Sequence, residues 1–202
     1  MTTAKKTTTS RKKTTTAKPR VIAQKIPDLP ANPFAFEVLD AASKQKTKAK
    51  KVEALQRYAD PSIKTLFIWN FDPTVISILP AGEVPYGNTK EDGKTTGTLT
   101  SKINDAVGMM NEMGSSSLGS QDQGRSSIRK EYQNFYNFVK GGNDQLSSLR
   151  RETMFINILE GLHPLEAEIV CLVKDKNLES KYKISKEVVS EAYPDIRWGN
   201  RS

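Results

Sequence analysis

The sequence predicts a mainly α-helical fold: a small irregular helical bundle with a disordered basic N-terminal tail and a flexible mid-chain loop and linker. Two observations predict the bundle: apolar residues recur every three or four positions, and helix-capping residues precede several of these segments. The third observation is the composition: 36% hydrophobic and 27% charged residues over 202 positions predict one domain with a modest core. We divide the chain at 1–33, 34–80, 81–127 and 128–202, and expect the last segment to pack against 34–80.

The first 33 residues are predicted to form a disordered tail followed by a proline-rich linker. The pattern Lys-Lys-Thr-Thr-Thr occurs at 5–9 and at 12–16, and almost no large apolar side chain precedes Val21. Such a segment cannot bury enough surface to offset the entropy lost on ordering. The prolines that favour an extended, semi-stiff linker are Pro19, Pro27, Pro30 and Pro33. We therefore expect residues 1–33 to lack stable tertiary contacts.

Helical signals begin at position 34. Phe36 and Leu39 lie three apart, as do Val52 and Leu55, which predicts a helix or a helix pair over 34–58. Lysines spread around this stretch are typical of a solvated helix face, and a basic binding patch is the alternative interpretation. These lysines are Lys44, Lys46, Lys48, Lys50 and Lys51.

Two Asp-Pro pairs follow, at 60–61 and 72–73. An aspartate side chain can accept hydrogen bonds from the first turn of a helix, and a proline at the next position loses no hydrogen bond there. The two pairs therefore predict helices near 61–70 and 73–79. The apolar run at 66–69 is also compatible with a buried strand, but the capping signals favour a helix.

The mid-chain segment combines a loop, a helix and a linker. Prolines and glycines predict a loop over 80–98, and a run rich in Gly, Ser and Gln predicts a flexible linker over 114–127. Between them, apolar residues at intervals of three or four predict an amphipathic helix over 99–113. Its apolar stripe consists of Leu99, Ile103, Val107, Met110 and Met113.

The C-terminal segment has the clearest helical pattern. It predicts one helix over 128–139 that ends at the glycine pair 141–142, a second over 149–160, a third from 164 to 173, and a last one capped by Ser185. Short connections favour antiparallel packing in a small bundle. The side chains expected in its core are Phe155, Ile156, Leu159, Leu162, Ile169, Val170 and Leu172.

The net charge of +8 is concentrated in the tail. Residues 1–27 contain eight basic residues and no acidic one, whereas 23 basic and 23 acidic residues balance from Asp28 onward. Lysines spaced by threonines can follow a phosphate backbone, and without aromatic residues to stack on bases we expect non-specific binding of DNA or RNA. A solubilising tail without a partner is the alternative. The candidate nucleic-acid-binding residues are Lys5, Lys6, Arg11, Lys12, Lys13, Lys18, Arg20 and Lys25.

No motif identifies an enzyme. The stretch 87–95 resembles a phosphate-binding P-loop, but it has five residues between its glycines where the motif has four. His163 and Cys171 are the only residues of their kinds, too few for a usual zinc site, and their separation does not by itself bring them together. We interpret Cys171 as a packing residue on an apolar helix face. The sequence thus identifies no catalytic residue, metal ligand or cofactor.

Composition also bears on location. No run approaches the roughly 18 apolar residues of a membrane-spanning helix. The basic N-terminus lacks the apolar stretch of a secretory signal, and a single cysteine fits a reducing cytoplasm. We expect a protein that has no membrane partner and stays in the compartment where it is made.

Four parts of the chain carry recognisable motifs: RETMFINILEGLHPLEA at 151–167, KDKNL at 174–178, VVSEAYPD at 188–195, and FDP at 71–73 with LPAGEVPY at 79–86. Together these motifs resemble an uncharacterised protein family of contractile-tailed (myovirus) phages, mainly of marine bacteria. The resemblance covers 34–86 and 128–195, so the tail and the stretch 97–127 look like additions to the shared pattern. It implies a phage protein in the cytoplasm of an infected bacterium, and it assigns no catalytic or binding residue.

These observations lead to one functional hypothesis and two alternatives. The first is a non-enzymatic accessory protein of phage infection, with a helical domain that binds a phage or host protein and a tail that binds nucleic acid. The alternative is a structural protein of the virion or of its assembly, because basic tails also lie against packaged genomes. A cryptic enzyme is the third.

Overall fold

The computed structural model describes residues 25–85, 98–113 and 125–199. Within these ranges the chain is mainly helical, which confirms the predicted fold class. A short 3-10 helix follows α5 directly. The helices are α1 Ala35–Ser43, α2 Lys48–Arg57, α3 Pro61–Phe71, α4 Leu99–Met113, α5 Ile128–Glu131, the 3-10 helix Tyr132–Phe138, α6 Ser148–Gly161, α7 Pro164–Lys174, α8 Leu178–Tyr182 and α9 Lys186–Ala192.

Side-chain caps start several helices, among them α2, α3 and α6. Thr47 accepts a hydrogen bond from the backbone N–H of Lys50 at the start of α2, and Ser147 caps α6 in the same way. At α3 the Asp60 carboxylate accepts from the backbone N–H of Ser62 at 2.9 Å, with Pro61 at the first helical position. The Asp-Pro prediction is therefore confirmed for α3.

Helix α7 lies at the centre of the bundle and contacts α1, α3, α4, α6 and α8. Six of the seven predicted core residues are buried, and Leu172 is the exception because it is only partly buried. Each helical residue advances about 100° around the axis, so Leu172 points about 100° away from the buried Val173. Helix α4 packs on α7 through Leu99, Ile103 and Val107, which confirms the predicted amphipathic helix.

The second Asp-Pro pair does not start a helix, so the prediction for 73–79 is wrong. The Asp72 carboxylate accepts from both the backbone N–H and the hydroxyl of Thr74, at 2.9 and 2.8 Å, which forms a tight turn. The chain then runs extended, and Ser77 pairs with Val139 in an isolated antiparallel bridge. The same local signal thus serves a turn, because the following residues pair with a distant segment.

The prediction of a single helix over 128–139 is also wrong. The segment forms one turn of α-helix, α5, followed by the 3-10 helix that ends at Phe138. Tyr132, Phe135 and Phe138 recur every third residue, which is the period of a 3-10 helix.

Helix α8 was not predicted. It is five residues long and lies between Lys176 and Lys183, both of which have a left-handed backbone (φ 55° and 51°).

The predicted lack of tertiary contacts is wrong for residues 25–33; residues 1–24 lie outside the described ranges. Ile26 is buried in the core. The Tyr58 hydroxyl donates to the carbonyl of Pro27 at 2.9 Å and accepts from the backbone N–H of Leu29 at 3.0 Å. The apolar side chains of this stretch and its contacts with Tyr58 attach it to the end of α2.

Candidate nucleic-acid and partner-binding surfaces

The basic tail meets the folded body at Lys25. Of the eight candidate tail residues, Lys25 alone is described; its exposed ammonium lies 3.4 Å from the Asp28 carboxylate. Asp28 also pairs with Arg57 at the end of α2, and these two cations hold its pKa below the usual value, Arg57 having the larger effect. Outside the described residues lie Lys5, Lys6, Arg11, Lys12, Lys13, Lys18 and Arg20.

The lysine run of α1 and α2 was the alternative basic patch. The structure gives at least three of its five lysines a partner within the body. They are Lys44, which pairs with Asp40 at 2.6 Å; Lys48, which pairs with Glu191 at 3.0 Å; and Lys51, which donates to the carbonyl of Lys183 at 2.6 Å. These contacts favour the interpretation of the run as a solvated helix face over that of a binding patch.

A groove of about 300 Å³ lies between α3 and the 3-10 helix, and we call it the aromatic groove. The described residues that line it carry no charge. From α3 come Thr65, Ile68 and Trp69, from the 3-10 helix Tyr132, Gln133, Phe135 and Tyr136, and from the extended segments Val75 and Val139. Its wall therefore combines aromatic rings with the amide and hydroxyl of two polar side chains.

Trp69 is the largest residue of the aromatic groove. Its ring packs against Phe135 and Phe138, with centroids 5.4 and 6.2 Å apart, and the residue is only 2% exposed. Its indole Nε1 is buried and has no hydrogen-bond partner among the described residues. A buried donor without an acceptor costs roughly 1–3 kcal/mol.

The edge of the aromatic groove is open to solvent. Tyr136 is 53% exposed, and the nearby Ile76 is 46% exposed. Lys140 lies at this edge because its backbone N–H donates to the carbonyl of Ile76 at 2.9 Å. Lys140, and Lys130 two residues before the 3-10 helix, are exposed and form no ion pair with a described residue. The edge therefore presents an aromatic ring together with positive charge.

A second concave surface, the Leu149 groove, lies between α6 and the segment that contains α5 and the start of the 3-10 helix. Leu149 is 74% exposed, and the partly buried Met154 and the buried Ile158 also line the groove. Polar side chains surround it: Glu131, Asn134, Arg150, Thr153 and Asn157. Its volume of about 550 Å³ is larger than the volume of about 300 Å³ of the aromatic groove.

A buried carboxylate positions the wall of the aromatic groove. Glu166, in the first turn of α7, accepts from the backbone N–H of Ile128 at 2.9 Å and from that of Ala35 at 3.1 Å. One side chain thus joins the starts of three helices, α1, α5 and α7. Burial raises the pKa of Glu166, and the two backbone hydrogen bonds oppose that rise.

His163 and Cys171 do not form a pair. His163 is buried, stacks on Phe36 with centroids 5.0 Å apart, and caps α7 by accepting from the backbone N–H of Leu165 at its Nδ1. Cys171 lies about 12 Å further along the helix axis. Burial raises the pKa of its thiol to about 12, so the thiol is protonated at neutral pH.

Three other features remain: the P-loop-like stretch, a possible metal site and a possible membrane-spanning helix. The P-loop-like stretch 87–95 lies outside the described residues. Within residues 25–85, 98–113 and 125–199, no group of three or more His, Cys, Asp or Glu side chains could hold a metal ion. In the same part of the chain, no helix has both the length and the apolar character needed to cross a bilayer.

Comparison with known protein families assigns the chain to one of them. A model described as a family of unknown function (DUF6433) matches residues 38–113 and 117–180, which is more than half of the chain. The chain belongs to this family. The match includes α4 and most of the stretch 97–127, so within this family that stretch belongs to the shared pattern. The tail lies outside the matched residues. Neither the curated proteins nor the solved structures compared with the chain gave a match.

The aromatic groove was not predicted from the sequence. In the helix predicted over 128–139, Tyr136 does not follow the three-residue spacing of Tyr132, Phe135 and Phe138. Tyr136 was therefore the available signal, because an aromatic residue outside an apolar stripe faces solvent. The facing wall on α3 is more than sixty residues away along the chain, and no local pattern connects the two.

Proposed function

We propose that this protein is a non-enzymatic accessory protein of phage infection that binds nucleic acid through its basic tail. The phage setting rests on the sequence resemblance. Nucleic-acid binding rests on one observation: the charge of the body is balanced, whereas the tail carries the whole net charge of +8. A segment with this charge and no acidic residue attracts polyanions.

Ion pairing within the body supports this division of charge. Arg57 pairs with Asp28, Lys64 with Asp195 at 2.6 Å, and Arg129 with Asp60 at 3.2 Å. Such pairs reduce the electrostatic attraction between phosphates and the lysines and arginines of the body. The tail, in contrast, has no acidic residue of its own before Asp28. The proposed binding therefore depends on the tail, releases counterions from the phosphate backbone, and does not distinguish sequences.

The direct test is removal of the tail. The deletion should end at residue 24, because Ile26 is buried and Pro27 accepts a hydrogen bond from Tyr58, so a longer deletion would disturb the body. We expect the truncated chain to lose most of its affinity for DNA and RNA in gel-shift titrations at low salt. A full-length control with the tail lysines replaced by arginine keeps the charge and should bind as before. Equal affinity of the truncated and intact chains would contradict the proposal.

Binding of a protein partner is the second part of the proposal. The exposed Leu149 beside an open groove supports it, because a large apolar side chain that is 74% exposed next to a concave surface is a feature of protein interfaces. A photo-crosslinking residue in place of Leu149 should capture a specific phage or host protein in infected cells. The same residue in place of Lys102, which is exposed on α4, serves as the control. Identical products from both positions would count against this surface.

A virion protein is the alternative proposal. A basic tail could lie against the packaged genome, as it could against nucleic acid in the cell. Mass spectrometry of purified particles distinguishes the two: abundant copies favour the virion, and absence from particles favours the accessory role.

A further inference from the structure

We propose that the aromatic groove binds one unstacked base of a single-stranded nucleic acid. This inference rests on the proposed function and adds to it a preference for single strands over duplexes, which the tail alone does not provide. The groove is formed wholly by described residues, on an open face of the body.

The first argument is stacking. Tyr132 and Tyr136 come from successive turns at the groove, and more than half of Tyr136 is exposed to solvent. Every base has a π face, and stacking on an aromatic side chain contributes about 1–3 kcal/mol per base, with little dependence on sequence. A base in a duplex has both faces covered by its neighbours, so the groove can accept only a base that is unstacked.

The second argument is the size and polarity of the groove. Its volume of about 300 Å³ is at the lower end of ligand pockets, so it suits a single ring system and no larger element. Thr65 and Gln133 offer hydrogen-bonding groups to the edge of a base, and the lining has no charge to repel it.

The third argument is the charge around the groove. Lys130 and Lys140 flank the 3-10 helix and are free of ion pairs with described residues, so they can meet the phosphates on either side of a bound base. Arg129 donates to Asn32 and Pro33, which brings the linker within one turn of Tyr132. The 24 residues before Lys25 can extend at most about 80 Å, so one strand can contact both the tail and the groove.

An apolar side chain from a protein would also fit the groove, and the lysines favour the nucleotide. A base always brings phosphates next to it, which the two flanking lysines and the tail can neutralise. A neutral apolar peptide would leave both lysines without a role. Occupation by a protein segment is therefore an outcome that the experiment must be able to reveal.

The experiment compares the intact chain with three full-length variants, using a 20-nucleotide oligothymidylate and a 20-base-pair DNA duplex at one low salt concentration. Tyr136→Ala should weaken binding of the oligothymidylate about 5- to 150-fold, the equivalent of about 1–3 kcal/mol, and leave the duplex affinity unchanged. Tyr136→Phe keeps the ring and should bind as the intact chain does. Met109→Ala removes a similarly exposed side chain (60%, against 53% for Tyr136) from α4, outside the aromatic groove, and should change neither affinity.

The outcomes separate the groove from the tail. If Tyr136→Ala leaves the affinity for oligothymidylate unchanged, the groove does not bind a base, although loss of binding on deletion of 1–24 would still support the tail. A Tyr136→Ala variant that weakens duplex and single strand equally would also overturn the inference. If the intact chain binds neither probe at low salt, both the inference and the proposed nucleic-acid binding by the tail fail, and only the proposed binding of a protein partner remains.

Discussion

Replacement of Glu166 tests how the bundle is held together. Its two carboxylate oxygens accept from the backbone N–H groups of Ile128 and Ala35, at 2.9 and 3.1 Å, and the residue is 1% exposed. The first amides of a helix have no partner within the helix, so Glu166 satisfies donors of α1 and α5 that no water can easily reach. Any change that removes these acceptors leaves buried donors without partners.

The expected magnitude follows from the number of donors that lose an acceptor. A buried donor left unsatisfied costs roughly 1–3 kcal/mol. Glu166→Gln replaces one oxygen with an amide NH₂, which faces one backbone N–H and should cost about 1–3 kcal/mol. Glu166→Ala removes both acceptors, and we expect a loss of about 2–6 kcal/mol in the free energy of unfolding.

Denaturant unfolding followed by circular dichroism measures both variants. Glu160→Gln is the matched control, because Glu160 is exposed at the end of α6 and its change should stay within about 0.5 kcal/mol. Losses below about 0.5 kcal/mol for both Glu166 variants would refute the argument, because the two donors would then be satisfied in some other way.

The pH dependence of Glu166 has a defined sign. Burial raises its pKa above the ordinary value of 4.5, so the folded state binds this proton more tightly than the unfolded state does. Its contribution to stability is therefore fully present below pH 4.5 and is lost as the pH rises through the raised pKa. The stability difference between the natural chain and Glu166→Gln should narrow from pH 4.5 upward. A difference that widens would show that the two hydrogen bonds outweigh the cost of burial.

Three further predictions concern single residues. Phe155→Ala should cost about 3–5 kcal/mol in denaturant unfolding, because Phe155 is 2% exposed and packs edge-on against Phe138 at 5.1 Å; a loss under about 0.5 kcal/mol would place it outside the core. Arg151→Lys should cost about 1.5–3 kcal/mol in the same assay, because one ammonium cannot replace a buried guanidinium that donates to three carbonyls, and an unchanged midpoint would contradict this. Cys171, with a pKa of about 12, should resist iodoacetamide at pH 8 until the chain is unfolded; rapid labelling of the folded protein, measured by mass spectrometry, would show an accessible thiolate.

Local signals predicted the elements that local interactions determine. Asp60 and Pro61 start α3 because the capping hydrogen bond spans only two residues. Asp72 and Pro73 carry the same signal, yet a bridge between Ser77 and Val139, sixty-two positions apart, gives the chain after them an extended form. A pattern within a short window contains no information about such a partner.

The two candidate sites, the tail and the aromatic groove, also differ in whether they depend on distant contacts. The tail was predicted because charge is a property of composition and needs no fold. The aromatic groove exists only when the 3-10 helix packs beside α3, and that packing depends on Glu166, which binds Ile128 from another helix. Tyr136 was the one local signal of the groove, and neither the facing wall on α3 nor the Glu166 carboxylate has a signature in the sequence near it.

The most direct test of nucleic-acid binding by the tail is the dependence of affinity on salt. Binding that neutralises Z phosphates gives a log–log slope of about −0.9Z on duplex DNA. With eight cationic residues available in 1–27, the slope contributed by the tail should be no steeper than about −7, and deletion of 1–24 should remove most of it. A slope near zero for the intact chain, or the same slope before and after the deletion, would contradict the account.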